Sequence, residues 1–61
     1  MGTEEQRLAR VRATMAVAKV CKAWKEEALL GRVGEAVEKA LGEERSVVVQ
    51  GKWRECLALV R

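Results

Sequence analysis

Residues 3–30, TEEQRLARVRATMAVAKVCKAWKEEALL, decide how this chain folds. The stretch contains neither Gly nor Pro and is dominated by Ala, Leu, Glu, Lys and Arg. These side chains lose little rotamer freedom in a helix and rank high in helix propensity. Its start is marked: Thr3 and Gln6 fit a capping box, in which each side chain satisfies the backbone N–H of the other. Glu4 and Glu5 follow in the first turn, where the helix dipole favours negative charge. The pattern predicts one long helix from about Glu4 to Leu29, roughly 39 Å at about 1.5 Å per residue.

Two apolar stripes run along this stretch. Leu8, Val11, Met15 and Ala18 repeat at three- and four-residue intervals, and Leu29 returns to the same face after an interruption at Lys22. Ala13, Val17, Val20 and Trp24 form a second stripe on nearly the opposite side, with Ala9, Ala16 and Ala28 at its edges. An ordinary surface helix buries one stripe. A helix with two needs two partners: the rest of the chain for one, and a second copy of the chain for the other. The alternative is that short later elements wrap both sides within a monomer. The larger Leu and Met side chains suit the intrachain core, whereas Ala and Val let two helix backbones approach closely. The expected self-association surface is therefore Ala13, Val17, Val20 and Trp24.

Beyond this stretch, Gly31 is the expected stop of the first helix, because Gly adopts the left-handed cap conformation without a Cβ clash. A second helix is predicted from about Arg32 to Leu41, with Val33, Val37 and either Ala40 or Leu41 on one face. Glu35 and Lys39 stand in the favourable order for a pair four apart, and Gly42 is the expected cap. Glu43, Glu44 and Arg45 read as a turn. The last sixteen residues are ambiguous. Three consecutive valines, Val47 to Val49, favour a strand, and Gly51-Lys52 suits a hairpin turn. That hairpin register would set Val49 opposite Arg54 and Val48 opposite Glu55, which mixes apolar with polar. A helix capped by Ser46 instead gathers Val49, Trp53, Cys56, Leu57 and Val60 on one face, at a cost of about 1 kcal/mol for Gly51. The expected fold is mostly α: a long N-terminal helix packed against two shorter ones, a helical bundle completed by self-association. Two helices followed by a C-terminal β-hairpin, or a strand followed by a helix, are the alternatives. Residues 1–61 form one small domain in this reading.

Composition bounds the function. A chain of 61 residues buries only about 60% of the surface that its unfolded form exposes, so association or staples usually help it. Hydrophobic residues make up 49% and charged ones 34%, which is too apolar for disorder. Asp, Asn, His, Phe, Tyr, Ile and Pro are absent, a skew that leads us to expect an artificial or de novo origin. Without His or Asp the commonest general base, the usual catalytic triads and most metal-ligand sets are missing. The expectation is a protein that is no enzyme and has no cofactor, no metal and no small-molecule substrate. Cys21 and Cys56 are too few for a disulfide scaffold and read as small apolar side chains, although Lys22 and Lys25 stand near Cys21. Glu26 with Glu27 and Glu43 with Glu44 read as solvated charges. Gly31 and Gly34 serve termination and close packing, and no phosphate-loop signature follows them. Trp24 and Trp53 are core or interface anchors. No uncharged run exceeds six residues, as from Ala13 to Ala18, so neither a membrane span nor a signal peptide is expected, and the expected location is cytoplasmic.

The net charge is +3. Six basic residues lie between Arg7 and Lys25 with no acid among them: Arg7, Arg10, Arg12, Lys19, Lys22 and Lys25. Such a cluster is the electrostatic footprint of phosphate binding, yet these residues do not share one helix stripe. The preferred expectation is thus a non-enzymatic, self-associating helical protein. A small basic nucleic-acid-binding regulator, using those six residues, is the alternative.

Overall fold

The first helix stops well short of Leu29. In the computed structural model, which describes residues 3–61, α1 spans Glu4–Ala23, α2 Glu27–Glu43 and α3 Val47–Val60. The capping box is formed: the Gln6 N–H donates to Thr3 Oγ1 at 3.2 Å, and the Thr3 N–H donates to Gln6 Oε1 at 3.1 Å. At the other end Lys25 takes a left-handed conformation with φ 56°. Its N–H donates to the Lys22 carbonyl at 3.2 Å, and the Glu26 N–H donates to the Cys21 carbonyl at 2.9 Å. Those two bonds make a Schellman motif, with Lys25 where Gly usually sits.

Tertiary burial overrides local propensity here. A left-handed non-Gly residue costs roughly 1–2 kcal/mol. Turning the chain at Lys25 folds α2 back and buries Val37 completely, with Val33, Ala40 and Leu41 partly buried beside it. Fully burying a single valine already offsets the strain, at about 1.5–3 kcal/mol. Two expectations fall with the long helix. Gly31 does not end α1 but lies inside α2, and Leu29 belongs to α2, where it is 47% exposed rather than on the Leu8 face. α2 is also longer at both ends than Arg32 to Leu41, and runs past Gly42 to Glu43.

The C-terminal segment is a helix, and no strand occurs among the described residues. Ser46 caps α3, its Oγ accepting from the Val49 N–H at 3.5 Å. Val49, Trp53 and Cys56 are buried and Leu57 and Val60 partly so, the face expected for a helix. The helix forms where a hairpin does not because period 3.6 segregates apolar from polar side chains in this segment and period 2 mixes them.

Three-residue connections, 24–26 and 44–46, make sequential helices antiparallel, so α1 and α3 run parallel. Each helix packs against both others. The shared core is Val11, Val37, Val49, Trp53 and Cys56, with Leu8, Met15 and Leu57 packed against it. The Leu8–Val11–Met15–Ala18 stripe thus faces inward, as expected.

Candidate interaction surface

The opposite face of α1 is unpartnered. At about 100° per residue, Ala9, Ala13, Ala16, Val17, Val20 and Trp24 share an arc of about 100° directly across from Val11 and Ala18. Every one of them is exposed, and Val17, Val20 and Trp24 are 51%, 56% and 76% exposed. Three adjacent large apolar side chains in water are an interaction signal in a way that one is not. Arg10 borders this arc on one side, and Arg12 and Lys19 on the other. Trp53, by contrast, is only 5% exposed and anchors the core.

The six basic residues do not form one surface. Arg7 is held in an ion pair, its Nε 2.9 Å from Glu44 Oε1. Arg12, Lys19 and Lys22 are exposed on one side of α1, Arg10 is exposed across the ridge from them, and Lys25 sits in the turn beyond the helix.

Glu44 is not the solvated charge that its sequence context suggests. Its side chain is 6% exposed, and Oε2 accepts from the Ser46 and Arg45 N–H groups at 3.0 Å each. The Ser46 N–H bond, followed by the Arg7 charge and the Arg45 N–H, holds its carboxyl below the usual carboxylate range, against the opposing effect of desolvation. Ser46 Oγ also donates to Glu4 Oε2 at 3.0 Å, and Gln50 Nε2 donates to the Glu44 carbonyl oxygen at 2.6 Å. This polar joint fastens the α2–α3 turn to the first turns of α1. Nothing in the local sequence flags it, because Arg7 and Glu44 meet only in three dimensions.

A shallow groove of about 380 Å³ runs along α2 where the C-terminal end of α3 meets it. Glu27, Leu30, Glu35 and Glu38 of α2 line it together with Val60, and Gly31 and Gly34 add no side chain to its floor. Gly34 is where the two helices approach: a Cβ there would stand 3.1 Å from Val60 Cγ1. Arg61, also on the rim, is ion-paired with Glu38. The sequence did carry a signal for this groove, since Glu27, Gly31, Gly34 and Glu38 repeat at four, three and four residues.

Both cysteines are free and buried. Burial pushes the Cys56 thiol above its ordinary range, consistent with a small apolar core residue. Among the described residues no group of three or more His, Cys, Asp or Glu is placed to hold a metal ion, and no helix is long and apolar enough to cross a membrane.

A small all-helical unit with its core shared by three helices and one apolar helix face left open is the form of a helical repeat. Residues 1–59 match the family model of the ECM29 C-terminal ARM-like repeats, and the chain belongs to that family. No curated protein and no solved structure matches it. Family membership lends no support to an artificial or de novo origin, to which the skewed composition had pointed.

Proposed function

We propose that this chain is a non-enzymatic protein–protein interaction module that acts by association, with a second copy of itself as partner. The carrying observation is the open α1 face, where Val17, Val20 and Trp24 are each about half exposed or more. Membership in an ARM-like repeat family supports this reading, because a repeat unit of this kind covers its apolar face by stacking on a neighbour. Catalysis has little to draw on in a chain without His or Asp.

Sedimentation equilibrium over a wide concentration range tests the proposal. The wild type is expected to gain mass with concentration, and Val17→Glu to stay monomeric, since a carboxylate in the contact would lose its water without a partner. Val17 is half exposed, so melting of the dilute variant is expected to match wild type. A single monomer mass at every concentration overturns the proposal. Salt-steep binding of nucleic acid, lost in Lys19→Glu, would favour the alternative of a basic nucleic-acid binder.

A further inference from the structure

We infer that association is head to tail, the α1 face of one copy lying in the α2–α3 groove of the next. This rests on the self-association reading and names its geometry. Three observations carry it. The first is placement. In three helices that all pack on one another, the groove between two lies opposite the third, so the α1 face and the groove point away from each other. Ridge and groove of one three-helix unit cannot meet each other, but a second copy brings them together.

The second is register. Ala13, Val17, Val20 and Trp24 repeat at four, three and four residues, and so do Glu27, Gly31, Gly34 and Glu38. One set is a ridge and the other has a low centre. α1 and α3 are parallel, with the C-terminal half of α1, the start of α2 and the end of α3 at the same end of the bundle. A sideways shift of one copy, without rotation, therefore lays α1 antiparallel to the neighbouring α2. Val20 then stands over Gly31, Val17 over the step between Gly34 and Val60, and Trp24 and Ala13 over Glu27 and Glu38.

The third is charge. Arg10, Arg12 and Lys19 border the ridge, and Glu27, Glu35 and Glu38 line the groove, where Arg61 pairs with Glu38 and leaves the lining net negative. Ridge against groove joins opposite charges. A symmetric pairing of two α1 faces would instead bring the two arginine- and lysine-bordered ridges together. A contact that uses two different patches does not close with two copies, and growth continues along the stack.

Two variants and their mixture test this by sedimentation velocity. Val17→Glu disables the ridge and leaves the groove intact. Gly31→Lys fills the groove and puts a positive charge at its centre; a Cβ at this position meets nothing within 4 Å, so the variant keeps its fold and melts no lower than wild type. The expected result is a wild type that grows beyond dimer, each variant alone at least tenfold weaker in association, and a one-to-one complex when the two are mixed. Self-association of Gly31→Lys at wild-type strength overturns the head-to-tail geometry while leaving the proposed function standing. A wild type that never associates overturns both.

Discussion

Arg7 and Glu44 are separated by most of the chain, yet Arg7 Nε lies 2.9 Å from Glu44 Oε1. The pair ties the start of α1 to the turn between α2 and α3. Glu44 also accepts from two backbone N–H groups of that turn, which would otherwise lack a partner. Replacing the carboxylate by an amide removes its charge and one of its two acceptor oxygens, so Arg7 and the two N–H groups can no longer all be served. Glu44→Gln is expected to lower Tm more than Glu55→Gln, whose partner Lys52 is an exposed neighbour three residues away.

The same carboxylate sets an acid limb. Its folded-state pKa lies below the ordinary value, so the unfolded chain binds the proton more readily. The stability it contributes is present above the ordinary carboxylate range and is lost as pH falls through the lower, folded-state value, beginning at about pH 5. Urea midpoints between pH 7 and pH 3 should fall for wild type and fall less steeply for Glu44→Gln. Equal slopes would show that Glu44 titrates alike in both states.

Lys25 holds the left-handed position that ends α1. Lys25→Gly removes the Cβ strain but loosens the unfolded chain, and the balance favours the variant by about 0.5–1 kcal/mol. For a domain of this size each 1 kcal/mol raises Tm by about 4–8 °C. A thermal scan that shows a lower Tm would mean that the turn does not adopt this conformation in solution.

Gly51 and Gly34 both sit inside helices, with opposite prospects. A Cβ at Gly51 meets nothing within 4 Å, so Gly51→Ala is expected to stabilise by about 1 kcal/mol. At Gly34 the Cβ presses on Val60 Cγ1, a branched side chain with little freedom at χ1. Gly34→Ala should therefore gain clearly less than Gly51→Ala in parallel denaturation curves, and equal gains would contradict the close approach of α2 and α3.

The two tryptophans should report different things. Trp53→Ala empties the centre of the core and is expected to cost about 3–5 kcal/mol, enough to unfold much of so small a domain. Trp24→Ala should leave dilute stability nearly unchanged, because the ring is 76% exposed. In acrylamide quenching of dilute protein, Trp24 should be accessible and Trp53 shielded. Equal accessibility would contradict the packing of α3.

The sequence by itself determined the helical character, the capping of α1 by Thr3 and of α3 by Ser46, and the inward stripe from Leu8 to Ala18. Each rests on interactions within a few residues or on the period of the apolar pattern, and both are written locally. It also offered the outward stripe ending at Trp24, whose exposure follows from the same period. Only the tertiary structure decided where α1 ends. No residue from Thr3 to Leu30 is a helix breaker, and the stop at Lys25 is held by what folding back buries, above all Val37. It likewise took Glu44 out of water to meet Arg7, and set Gly34 against Val60 to shape a groove between two helices. Those pairings join residues far apart in the chain: the period of Glu27, Gly31, Gly34 and Glu38 marks one wall of the groove, but local propensity and periodicity do not say what meets it. The packing of three helices around a shared core brings them together.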